Sequence, residues 1–214
     1  MMRRLPSKAM RPIRAMAATM SIAIGLPVHA ATVTVSVGTA SGGLGQAIIY
    51  AIPTGGTAPR QAPRAAIVDQ INKEFVPFVV PVQTGASVTF PNRDNIRHHV
   101  YSFSPAKVFD LKLYSGVAAK PVIFDKPGPV ALGCNIHDWM VGYVYVVDTP
   151  WFAKTDQAGA ATLELPGGEY EFWAWHPWQN AETAPQRVRI DAAGGSKVAF
   201  RVDITTPKQP RAPQ

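Results

Sequence analysis

Apolar and polar residues alternate one by one through long stretches of this 214-residue chain. Residues 31–37 (ATVTVSV), 161–165 (ATLEL) and 169–175 (EYEFWAW) show this pattern with a period of two. Successive side chains of an extended backbone point to opposite faces, so a period of two predicts half-buried β-strands. Runs dense in Val, Ile, Tyr and Phe predict further strands at 46–52, 75–82, 86–90, 97–103 and 141–147. Shorter runs at 66–68, 121–124, 130–133, 187–191 and 197–204 complete the set, and residues 107–113 are apolar without a decisive pattern. Turn-forming clusters separate them, among them Thr84-Gly85, Pro91-Asn92-Arg93-Asp94-Asn95, Pro127-Gly128-Pro129 and Pro166-Gly167-Gly168. Helical periodicity is nearly absent after residue 30, so the expected fold class is all-β.

Composition changes the picture at both ends. The net charge is +7, but Arg3, Arg4, Lys8, Arg11 and Arg14 supply five of those charges. Beyond residue 30 there are sixteen basic against fourteen acidic residues and no basic run, which excludes a nucleic-acid footprint. Residues 1–30 read as an export signal: a basic start, an apolar run from Ala15 to Val28 too short to span a bilayer, and a small-residue cleavage pattern ending at Ala30. The mature protein is therefore expected in the periplasm, not spanning the membrane. Residues 53–63 (PTGGTAPRQAP) read as a linker, and the Pro-rich residues 207–214 as a disordered tail.

The one cysteine, Cys134, cannot form an internal disulfide. A lone thiol in an oxidising compartment needs burial or a metal to protect it. His137 follows it by three residues and Met140 by three more, giving Cys-x2-His-x2-Met on a loop between two predicted strands. A thiolate, an imidazole and a thioether suit copper, since soft sulfur favours Cu(I) and imidazole accepts both oxidation states. A fourth ligand must come from elsewhere: His98 or His99 upstream, or His176 downstream. Strand parity groups His99 with Tyr101 and Phe103, and His98 with Val100 and Ser102, and does not choose between them. His176 has no cysteine or acid at ligand spacing and reads as structural.

These residues resemble the small blue-copper proteins, the cupredoxins. The Cys134-to-Met140 loop is similar to the short ligand loop of the amicyanin branch. Ser87-Val88-Thr89-Phe90-Pro91-Asn92 followed by His98-His99-Val100 resembles the family's strand and first histidine, and Phe124-Asp125-Lys126-Pro127-Gly128 resembles its approach to the cysteine. The resemblance covers residues 66–148. It implies one type 1 copper ion held by His98, Cys134, His137 and the weak axial Met140, with His99 outside the ligand set. It also implies a one-electron carrier between redox partner proteins, with His137, beside Trp139, as the electron port, and a link to methylamine utilization. Two positions depart from the family pattern: His99 stands where Asn is usual, and Asp138-Trp139 where prolines are common.

The flanking segments resemble a carboxypeptidase regulatory-like (prealbumin-like) β-sandwich. The carrying residues run from Thr155-Asp156 and Gly159 through Leu165-Pro166-Gly167-Gly168-Glu169-Tyr170 to Ala174-Trp175-His176-Pro177. The expected organisation is a discontinuous sandwich from residues 31–60 and 149–206, with a Greek-key cupredoxin domain at 66–148 inserted into it. Trp173, Trp175 and Trp178 read as core and interface aromatics rather than as a binding platform. No Ser/His/Asp arrangement and no paired carboxylates with an acid–base partner occur, so an enzyme is not expected. The rival functions are a copper store or delivery protein, using the same ligands without redox turnover, and a structural ligand-binding sandwich with a vestigial site.

Overall fold

The computed structural model describes residues 30–59, 61–117, 120–191 and 194–208. Apart from Ala30, the expected export signal lies outside them, as does the tail from residue 209. The described chain is all-β, and no helix in it is long and apolar enough to cross a membrane.

The strands run in order as β1 (Ala30–Thr39), β2 (Gly42–Gly43), β3 (Ile48–Pro53), β4 (Ala66–Ile67), β5 (Asp69–Ile71), β6 (Glu74–Val76), β7 (Val79–Gln83), β8 (Ala86–Thr89) and β9 (His98–Ser104). They continue as β10 (Lys107–Tyr114), β11 (Val122–Phe124), β12 (Gly128–Gly133), β13 (Val141–Val147), β14 (Phe152–Lys154), β15 (Ala160–Pro166), β16 (Gly168–Trp175), β17 (Gln186–Ile190) and β18 (Ser196–Arg201). The run expected at 75–82 divides into β6 and β7, because Pro77 has no N–H to give a ladder. Residues 107–113, undecided by pattern, form the edge strand β10. Short β5 and β14 carry too few residues for a period to show.

Two buried clusters organise these strands. The first draws on β1 and β3 at the start of the chain and on β15 to β18 at its end. Val33, Val35 and Val37 point into it while Thr32, Thr34 and Ser36 stay outside, as the alternation predicts. Its two sheets have the strand orders β15-β1-β18, with β2 beside β1, and β14-β3-β16-β17. The second cluster draws on residues 68–146. It lies between a five-stranded sheet, β10-β9-β12-β13-β7, and a three-stranded sheet, β11-β8-β4. Each fully buried Val or Phe contributes about 1.5–3 kcal/mol relative to an exposed one, so each cluster is a core in its own right.

Aromatic side chains join the two units. Tyr50 of β3 and Trp175 of β16 face away from their own core. Trp175 stacks on Tyr145 of β13 with ring centroids 4.5 Å apart, and the Tyr50 and Tyr145 hydroxyls lie 3.2 Å apart. Phe78 meets Trp178 at 5.5 Å. Stacked and tilted rings at these separations contribute beyond the area they bury. The Lys154 Nζ donates to the Val79 carbonyl at 2.9 Å, tying β14 to β7.

Candidate metal centre

The β12–β13 hairpin is a regular antiparallel ladder from Gly128↔Val146 to Gly133↔Val141. Its connection is the seven-residue stretch from Cys134 to Met140. The Met140 N–H donates to the His137 carbonyl at 3.0 Å, which draws the loop into a compact double turn. Cys134 and Met140 are buried in the second core, His137 is half-buried, and Asp138 is exposed. Gly133 pairs with Tyr101 of β9, and a Cβ placed on it would sit 2.7 Å from the Tyr101 ring. A side chain there would therefore push the residue before Cys134 off its neighbour.

β9 carries both upstream histidines and sends them to opposite faces, as alternation requires. His98 is fully buried, and its Nδ1 lies 3.9 Å from the Cys134 Sγ. The His137 Nδ1 lies 3.9 Å from the same sulfur. One ligand atom from each of His98, Cys134 and His137 falls within 4.8 Å of the others. The two imidazole rings are 5.0 Å apart. His99 lies on the other face, paired with Asp110 through Nε2 and packed on Tyr101 at 5.4 Å. Met140 shares the buried cluster of Cys134. His176 lies in the other unit, where its Nδ1 accepts the Trp178 N–H at 3.2 Å.

The surroundings are mostly buried. Burial holds the His137 imidazole below its ordinary value, the neighbouring His98 and Lys73 act in the same direction, and Asp94 opposes. Burial also drives the Tyr114 hydroxyl up to about 12; the Gln70 bond opposes this, and charge on Cys134 adds to it. Gln70, itself fully buried, donates to the Phe90 carbonyl at 3.0 Å and to the Tyr114 oxygen at 2.6 Å. The His137 ring lies against Trp139 at 5.1 Å.

No family model matches the chain, and no curated protein matches it. Among solved structures it is similar to a reduced Cu(I) amicyanin variant, at 23% identity over 39% of this chain and 82% of that one, with a TM-score of 0.36. A purple cupredoxin from Nitrosopumilus maritimus gives 24% identity over 39% of this chain and 99% of that one, with a TM-score of 0.34. A Cu-containing nitrite reductase from Thermus scotoductus gives 23% identity over 45% of this chain and 25% of that one, with a TM-score of 0.37. At these identities and scores the likenesses decide neither family nor activity.

The donor set itself is informative. Two imidazole nitrogens and a buried sulfur, converging from a strand and a loop, suit a borderline or soft transition metal and not Ca²⁺ or Mg²⁺, which take oxygen ligands. A shallow apolar cleft of about 240 Å³, lined by Glu74, Phe75, Phe78, Trp139, Val141 and Trp178, lies beside the loop. A second, of about 410 Å³, touches His99 and Asp110. Neither is lined by His98, Cys134 or Met140. Sequence reasoning missed one residue at this centre: Asp94, whose Oδ2 lies 2.7 Å from the His98 Nε2. An acid four residues before a candidate ligand, in a turn-rich loop, was the available signal.

Proposed function

We propose that this chain is a one-electron carrier with a type 1 copper centre, which His98, Cys134, His137 and Met140 would hold. The observation that carries the reading is the buried Cys134 sulfur with two Nδ1 atoms each 3.9 Å away. Copper, when bound by such a set, supplies a Cu(I)/Cu(II) couple. Fixed strands and a hydrogen-bonded loop hold the donors in place, so little rearrangement accompanies a change of charge. His137 is the only half-exposed member of the set, and with Trp139 and exposed Ile136 it forms the port for redox partner proteins. The export signal read in residues 1–30 favours a periplasmic setting. A link to amine oxidation rests on the sequence resemblance alone. We assign the centre to an inserted domain at 66–148 and the carrier sandwich to 31–60 and 149–206, following the two cores.

A copper store or delivery protein would use the same side chains. Burial of His98 and Cys134 favours an ion that stays over one handed on. Copper loading of the chain from residue 31 onward tests the proposal. The expected result is an intense visible absorption band, a narrow copper hyperfine splitting and a reversible potential. A colourless protein that holds only Cu(I) would replace the carrier with a store. In Cys134→Ser, unchanged metal content would remove copper binding from this site altogether.

A further inference from the structure

The two ring nitrogens of His98 have different neighbours. Nδ1 faces the Cys134 sulfur at 3.9 Å, while Nε2 lies 2.7 Å from Oδ2 of Asp94. The carboxylate is itself fixed by backbone donors. Its Oδ1 accepts the Asn72 N–H at 2.7 Å, and its Oδ2 accepts the Lys73 N–H at 2.8 Å. Asn72 and Lys73 form the turn between β5 and β6, with φ of 55° and 61°. Two successive left-handed residues aim consecutive N–H groups to one side, which makes an anion-holding concavity. The Asp94 N–H donates to Asn92 Oδ1 at 3.0 Å, and the Asn92 Nδ2 donates to the Ile96 and Tyr114 carbonyls at 2.8 Å each. Asp94 is therefore placed by the fold before any metal is present. Its side chain is 13% exposed and that of His98 is 0% exposed.

Two consequences follow from this arrangement. A carboxylate at Nε2 puts the imidazole proton on that nitrogen and leaves the Nδ1 lone pair free on the side of Cys134. A negative charge held this close, with little solvent to screen it, also favours the more positive oxidation state of an ion bound at Nδ1. We propose that Asp94 is a positioning residue for the centre: it selects the Nδ1-ligating tautomer of His98 and lowers the reduction potential of the bound ion. The second half of this rests on the copper reading above.

The test has two arms. In metal-free protein, nitrogen-15 NMR should show the His98 proton on Nε2, and Asp94→Ala should give a mixture of tautomers. In copper-loaded protein, Asp94→Asn should keep the visible band and raise the midpoint potential by at least a tenfold change in the one-electron equilibrium, about 59 mV. Asp94→Glu should recover most of the wild-type potential. Because Asp94→Asn also turns an amide nitrogen toward the Asn72 N–H, Asn72→Val serves as a control. It strains the same turn but keeps the carboxylate charge, and should shift the potential by less than a third as much. A His98 proton on Nδ1 in the metal-free wild type overturns the proposal. So does a bound-copper potential that ignores Asp94→Asn or moves equally in Asn72→Val. A wild type that takes no copper defeats the carrier reading instead, and leaves the tautomer arm to decide the role of Asp94.

Discussion

Position in this molecule is set at single atoms, and Gly133 shows how closely. The Tyr101 ring occupies the space where its Cβ would lie. Gly133→Val is expected to destabilise the protein by about 1–3 kcal/mol through overpacking. Tyr101→Ala in the same chain should return most of that loss, and urea unfolding of the single and double variants measures both. The same scale separates His98 from His99, one facing Cys134 and the other Asp110. Parity of the strand places them on opposite faces, which the sequence states plainly. Which face is the inner one depends on β12 lying beside β9, a contact made 32 residues away in register Gly133↔Tyr101. No local pattern carries that information, so the family motif was needed to favour His98. Asp94 was only weakly marked for a related reason: an acid four residues before a histidine is a common pairing. What sets it apart is the Asn72–Lys73 turn, 22 and 21 residues away in sequence, whose N–H groups hold its carboxylate.

Among elements, the strands with a clear period of two stood out best in the sequence. The stretch 141–147 coincides with β13, and β1, β15 and β16 depart from their expected limits by a residue or two. Alternation survives there because each strand has one face on a core and one outside it. The pieces that escaped notice are the short ones. Residues 154–159 are mostly turn-forming types, yet Lys154 closes β14, and Thr155 is buried behind it. Thr155 Oγ1 accepts the Ala47 N–H at 2.9 Å and donates to the Leu44 carbonyl at 2.7 Å. This hydroxyl stands in for a missing rung between the approach to β3 and the turn after β14. Thr155→Val keeps the shape and orphans two buried backbone groups. It should cost about 1–3 kcal/mol, read as a lowered midpoint in chemical unfolding, with faster amide exchange at Ala47 as the local sign.

For the whole molecule, the seam between the two units matters most. Trp175, Trp178, Phe78, Tyr143 and Tyr145 meet there, so the tryptophan-rich stretch is an interface and not a free platform. His176 packs edge-on against Trp178 at 5.3 Å and is 2% exposed. Burial lowers its pKa to about 4 from the ordinary 6.5. Between those values the unfolded chain takes up a proton that the folded chain refuses. Stability is thus full above pH 6.5 and falls as the pH drops toward 4. The loss is on the order of 2–3 kcal/mol, at about 1.4 kcal/mol per unit. His176→Gln should flatten this acid limb relative to wild type when stability is followed from pH 7 to 4. A variant whose limb stays as steep would place the titrating group elsewhere.

The pairing of β1 with β18 has a consequence for how the protein is made. These strands run side by side in parallel, from Val33↔Ser196 to Gly38↔Arg201, yet more than 160 residues separate them. During synthesis every strand around the Cys134–Met140 loop emerges before β18 exists. The second core can close early on its own contacts, while β1 waits with one edge open. The unit that contains β1 is completed only once β18 has been made, so a product ended before β18 would carry a closed second core beside an unclosed sheet edge, a form that cellular proteases and aggregation would single out.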